Sequence, residues 1–153
     1  MIFSGWTAHL DLIQLALEDA HLPFTRLDGS MSRTQRTSAL NAFRDDPAIR
    51  VMLVSIGAGG LGLNLTTASR AYVMEPQFNP AAEAQAVDRV HRLGQKRSVT
   101  ITRFIMRDSF EEKMLELQRK KRDLADLSMN RNAKLDKAEA AKRRLEELRS
   151  LFR

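Results

Sequence analysis

Short apolar runs rich in β-branched residues alternate with stretches of helical periodicity through the first two thirds of the sequence. This is the pattern of βαβ units, in which each crossover returns the chain to a strand parallel to the last. Five strands are predicted, at Met1–Ser4, Phe24–Leu27, Val51–Ile56, Ala71–Met74 and Val99–Ile105, and the segments between them are long enough for helical crossovers. Ser32 with Gln35 reads as a capping box opening a helix that ends near Phe43, and Asn79-Pro80 as an N-cap with proline at the first helical position. Ser109 and Glu112 repeat the box. The helix they open carries Phe110, Met114, Leu117 and Leu124 at three-to-four spacing, a stripe expected to pack back on the domain. Past a break at 129–133, a last charged helix places Leu145, Leu148 and Phe152 on one side. Ile2 and Phe3 follow Met1 directly, and because a parallel-sheet domain rarely begins inside a buried strand, an N-terminal part is expected to be missing.

Composition narrows the chemistry. With 43% apolar and 29% charged residues in 153, the chain has a core and a solvated surface of ordinary proportions. It has no cysteine, which excludes disulfides, zinc fingers, a RING, cluster sites and a thiol nucleophile. The three histidines, His9, His21 and His91, are too scattered for a metal site, so none is expected. No apolar run approaches the roughly 18 to 20 residues of a membrane span, and no signal peptide is visible, so a soluble intracellular protein is expected. The net charge is +6, with 11 basic and 9 acidic groups in residues 1–106 against 14 and 10 in residues 107–153. A basic tail suits an anionic partner such as nucleic acid, and equally a solvated helix rich in Lys, Arg and Glu.

Two local constellations could carry function. Four of the seven glycines lie between Gly57 and Gly62, just past the third strand. Glycines there let the backbone approach a ligand, adopt φ > 0 and turn N–H groups toward phosphate oxygens, whereas a tight turn would need only one or two of them. The loop lacks the Gly-Lys-Ser/Thr of a Walker A motif and is not expected to hold a triphosphate alone. The second constellation is the helix expected from Pro80 onward. Ala82, Ala86, Val90 and Leu93 form its apolar stripe, and Gln85, Arg89 and Arg92 a polar row beside it, from which two guanidiniums can reach a phosphate across a cleft. The bland alternative is a surface helix in which Asp88 pairs with Arg92. His91 reads as an exposed or packing side chain, Phe78 as a core aromatic or a wedge, and Arg119 to Arg122 as a phosphate track or a solvated face.

In order, R-L-D-G-S-M-S-R-T-Q-R (26–36), A-G-G-L-G-L-N-L (58–65), F-N-P (78–80) and Q-A-V-D-R-V-H-R-L-G-Q (85–95) resemble the C-terminal helicase-like lobe of SNF2-family DNA-dependent ATPases, over about residues 2–127. E-P-Q-F-N-P, from Glu75, looks closest to the post-replication repair and helicase-like transcription factor branch. The resemblance implies an α/β, parallel-sheet RecA-like lobe in a three-layer sandwich over residues 1–107, truncated at its N-terminus. A brace-like helix at 108–130 and a charged helix at 131–153 would follow.

It further implies the second motor lobe of an ATP-dependent double-stranded DNA translocase, a chromatin or DNA-repair remodeller resident in the nucleus. Its partners would be an N-terminal RecA-like lobe and double-stranded DNA, bare or on nucleosomes, with no membrane. Arg89 and Arg92 match the motif VI arginines that act as fingers on the γ-phosphate, and Gln85 opens that motif. Gly60, Gly62 and Asn64 match the loop lining the nucleotide cleft. Ser4, Arg26, Gly29, Ser30, Phe78 and Asn79 match the DNA-tracking face, with phenylalanine at 78 where many relatives carry tryptophan. ATP with Mg²⁺ would be bound mainly by the other lobe. Neither the family's Walker A lysine nor its D-E-x-H acids occur in these residues, so the isolated chain is expected to be inactive as an ATPase. The competing readings are a non-catalytic orphan lobe that binds DNA or a partner through its basic C-terminal helices, and a decaying gene fragment.

Overall fold

The computed structural model describes residues 1–61 and 65–129. The chain falls into two compact units, the first spanning Met1–Phe104 and the second beginning at Ile105.

The first unit is built on five parallel strands, β1 (Ile2–Ser4), β2 (Phe24–Leu27), β3 (Val51–Ser55), β4 (Arg70–Val73) and β5 (Thr100–Arg103), in the order β2-β3-β1-β4-β5. All five predicted strands are present within a residue or two of their expected ends. Register follows the two-residue period of the side chains: Phe3 lies opposite Val54 and Val73, and Leu27 opposite Val54. Those four residues share a sheet face with Met52 and Ala71, all exposed by 1% or less. Phe43 from helix α2 (Arg33–Asp45), Ala58 from a 3₁₀ turn at Ile56–Leu61, and Ala86 from helix α3 (Pro80–Val87) close over this face in one core. Leu53 points the other way, where Leu10 of helix α1 (Thr7–Asp19) is fully buried. The unit is thus three layers deep, with α1 on one face and α2, the 3₁₀ turn and α3 on the other. This follows from right-handed crossovers, because β1 to β2 moves one way across the sheet and every later connection moves the opposite way.

Local chemistry sets the helix starts. Ser32 Oγ accepts from Gln35 N while the Gln35 side chain accepts from Ser32 N, completing the predicted capping box of α2. Asn79 Oδ1 accepts from Ala81 N ahead of Pro80. The helix that follows is shorter than its sequence pattern predicts. It ends at Val87, and the chain continues through tight turns, with Val90 N donating to Val87 O and Gln95 N to Arg92 O. Leu93 is consequently fully exposed rather than part of the apolar stripe, and Asp88 stands at the C-cap of the helix.

In the second unit, helix α4 (Phe110–Met129) starts behind Ser109, whose Oγ accepts from Glu111 N and donates to Met106 O. The carboxylate reaching back is that of Glu111, which accepts from Met106 N, rather than the predicted Glu112. Leu117 is buried, Met114 half-buried and Phe110 exposed. Arg119 and Lys120 are exposed, Lys120 pairing with Glu116 at 3.0 Å. The side chain of Leu124 and the predicted helix bearing Leu145, Leu148 and Phe152 lie outside the described residues.

Candidate nucleotide and DNA surfaces

In an open parallel sheet, ligands meet the chain at the carboxyl ends of strands whose connections leave in opposite directions. Here those strands are β1 and β4, neighbours in the sheet. Their ends are joined by the carboxylate of Glu75, which is 8% exposed. It accepts from Gly5 N at 2.5 Å, Ser4 Oγ at 3.0 Å and Gln77 Nε2 at 3.0 Å, and contacts His9 Nδ1 at 3.1 Å. Ser4 is fully buried, and its hydroxyl also accepts from Trp6 N, so it shapes the Gly5-Trp6 turn from within and presents nothing to a ligand. Gly5 packs closely on Gln77: a Cβ there would lie 2.6 Å from Gln77 Oε1. Trp6, the sole tryptophan, is 70% exposed at this edge.

The same edge carries the loop after β2. Asp28 Oδ1 accepts from both Ser30 N and Ser30 Oγ, and Arg36 donates to Met31 O and Gly29 O, leaving Gly29 and Ser30 exposed. Burial alone would raise the Asp28 pKa, but the Ser30 hydrogen bonds and the Arg26 guanidinium hold it below the ordinary carboxylate value. Arg26 is engaged inside the molecule, its Nε on Asp28 at 2.8 Å and its Nη1 on Asp11 at 2.5 Å. Desolvation would lower its pKa, yet the two carboxylates raise it. Phe78 is half-buried, and Asn79 is exposed with its side chain spent on the helix cap.

The 3₁₀ turn after β3 contains Gly57 and Gly60. A Cβ at Gly57 would meet only Ser55 Oγ, at 3.9 Å, so no close approach or left-handed backbone requires glycine at that position. Gly62 and Asn64 lie outside the described residues.

Arg89 and Arg92 stand beyond the far end of α3, on the turns rather than on the helix that the spacing suggested. Leu65, which follows the glycine-rich segment in sequence, donates its N–H to Arg89 O at 3.1 Å. Gln85, one turn back, is exposed, and its carbonyl accepts from Arg89 Nε at 3.2 Å. Arg89 Nη1 is buried with no hydrogen-bond partner among the described residues. Burial, and then the positive charge of Arg92, lower the Arg89 pKa. A desolvated donor without a partner among the described residues, beside a second like charge, favours an anion.

Two residues that the sequence reading did not single out organise these surfaces. Glu75 holds the carboxyl edge, and Gln95 holds the arginine turn by donating to Ala68 O and Thr66 O. The available signals were a lone acid directly after an apolar strand and a polar residue behind the single glycine of R-L-G-Q. Among the described residues, no group of three His, Cys, Asp or Glu could hold a metal ion, and no helix is long and apolar enough to cross a membrane.

Comparison with known proteins matches residues 1–94 to the family described as the helicase conserved C-terminal domain. "DNA repair protein RAD5A" of Arabidopsis thaliana is 45% identical over 152 residues, covering 99% of this chain and 14% of that protein. "Helicase-like transcription factor" of Homo sapiens is 50% identical over 127 residues, covering 82% of this chain and 13% of that protein. Among solved structures, the C-terminal part of the Fun30 ATPase domain superposes with a TM-score of 0.74 at 40% identity, covering 76% of this chain and 37% of that one. The chain therefore spans about one seventh of the length of these curated relatives, and its sheet is that of a RecA-like α/β lobe.

Proposed function

From the premise that this chain belongs to the helicase conserved C-terminal domain family, among its SNF2-type members, we propose that it is the second motor lobe of an ATP-dependent double-stranded DNA translocase. The observation that carries this reading is the arginine turn. Arg89 Nη1 is buried without a partner among the described residues, beside the charge of Arg92, on a turn bonded to the exit of the glycine-rich segment. A guanidinium nitrogen buried without a partner beside a second arginine charge favours an anion, and a triphosphate held by a facing lobe is an anion of suitable charge. ATP supplies the transferable γ-phosphoryl group and the negative charge that grows on its oxygens. Arg89 and Arg92 are placed to neutralise that charge, with the planar forks and permanent ionisation that a lysine lacks. On this reading ATP and Mg²⁺ are bound mainly by the facing lobe.

Double-stranded DNA, on this reading, meets the carboxyl edge of the sheet. Gly29, Ser30 and Asn79 are exposed there, with Trp6 and Phe78 supplying aromatic faces beside them. Backbone N–H groups at such an edge suit phosphate oxygens, which fix position without reading sequence. Ser4 and Arg26 act one step behind the surface, Ser4 through Glu75 and Arg26 through the Asp28 turn. A nuclear site of action follows from this role, and the DNA-repair and transcription-factor names of the relatives support it.

The test is reconstitution. The chain is joined to the N-terminal lobe of a SNF2-type relative, and ATP hydrolysis is measured with and without duplex DNA. DNA-stimulated turnover that neither part shows alone is the expected result. Absence of turnover in a fusion that is folded and binds ATP would refute the proposal.

A further inference from the structure

Arg89 Nε reaches back to Gln85 O in α3, but the helix ends at Val87, so the backbone that carries Arg89 and Arg92 needs a fixed course beyond it. The turn Arg92-Leu93-Gly94-Gln95 closes with Gln95 N on Arg92 O at 3.0 Å. Gly94 occupies its third position at φ 103°, a conformation that side-chain-bearing residues rarely adopt. This reversal swings Gln95 inward and leaves Leu93 in solvent.

The Gln95 side chain then binds on every side. Its Nε2 donates to Ala68 O at 2.7 Å and Thr66 O at 2.9 Å, with Val90 O further off at 3.2 Å. Its Oε1 accepts from Arg97 N at 3.0 Å. Arg97 Nη2 in turn donates to Thr67 O. Three consecutive carbonyls, at 66, 67 and 68, are thus held by side chains of the arginine turn, while Leu65 N holds Arg89 O from the other direction. None of these groups belongs to a helix or a strand, so the side-chain amide supplies what repetitive hydrogen bonding supplies elsewhere.

We propose that Gln95 is a positioning residue for the two arginines: a clasp that sets where they point and locks them to the segment leaving the glycine-rich loop. This rests on the reading that the arginines serve a nucleotide. Glutamine is chemically specific here, because two amide protons face carbonyl oxygens while the amide oxygen faces an N–H. Glutamate would set a carboxylate against those carbonyls, and methionine would match the length without donors or an effective acceptor.

Two measurements separate this proposal from a general structural role. In the 153-residue chain, residue-resolved amide exchange is compared for the wild type, Gln95→Met and Gln95→Glu. Leu65 should exchange at least about tenfold faster in both variants, and Arg97 in Gln95→Met, with Phe3 and Val54 unchanged, since local opening leaves the sheet intact. In the fused ATPase, Gln95→Met should lower kcat roughly 100-fold with KM for ATP within about threefold, the signature of a misplaced group that stabilises the transition state. Adding Gln95→Met to Arg92→Ala should then cost little more than Arg92→Ala alone. Unchanged exchange at Leu65, or a double variant in which the two losses multiply, overturns the clasp. If Arg92→Ala left turnover intact, the nucleotide reading would fall instead, and Leu65 exchange would still decide whether Gln95 holds the loop.

Discussion

Replacing Glu75 should weaken the first unit by an amount that its bonding pattern fixes. Its carboxylate takes Gly5 N at 2.5 Å, and Ser4 Oγ at 3.0 Å to each oxygen. In Glu75→Ala the buried Ser4 hydroxyl keeps an acceptor, Trp6 O at 3.2 Å, so that loss is partial. Gly5 N–H keeps none among the described residues, but Gly5 is exposed and water recovers part of the bond. A hydrogen bond to a charged group contributes about 1.5 to 3 kcal/mol, so the low end for Gly5 plus a fraction for Ser4 gives about 2 kcal/mol. Glu75→Gln retains an oxygen for Gly5 N and should cost only about 1 kcal/mol. Urea unfolding followed by circular dichroism reads both, with the slope m unchanged and the midpoint lowered. A loss below about 0.5 kcal/mol for alanine, or a glutamine variant weaker than the alanine one, would refute the account of Glu75 as the tie between β1 and β4.

Two other perturbations follow from the charge pattern. Asp28 has a folded pKa below its ordinary value, so its contribution is present above about pH 4 and lost as pH falls through the folded value; Asp28→Asn should flatten the acid limb of a stability–pH curve. Glu83 of α3 is 4% exposed and paired with Arg103 of β5, while its Oε2 has no partner among the described residues. Arg103→Ala should therefore cost about 3 kcal/mol in urea unfolding, whereas Arg103→Met combined with Glu83→Gln should recover most of that, because the penalty is the stranded carboxylate.

What could be read from the sequence was what local chemistry determines. Val51–Ser55 is a strand because β-branched and long apolar side chains suit a sheet buried on both faces, and Ser32 and Asn79 start helices through bonds to residues two or three positions away. The end of α3 was not readable. Ala86, Val90 and Leu93 continue the helical spacing, and nothing local announces that Arg89 O is required by Leu65 N and Gln95 by the carbonyls at 66 and 68. Glu75 was missed for the same reason, its partners Ser4 and Gly5 lying 71 and 70 residues away. Whether the Ser4 and Arg26 side chains face out or are consumed inside depends on Glu75, Asp11 and Asp28, which only the folded chain brings to them.

The central claim is that the arginine turn serves a nucleotide on a facing lobe, and single-turnover ATP hydrolysis by the DNA-bound fusion addresses it most directly. Arg89→Ala and Arg92→Ala should each slow the hydrolytic step by about 10³-fold or more while ATP and DNA affinities stay within about threefold. Hydrolysis within about tenfold of the wild type in both variants would contradict the claim.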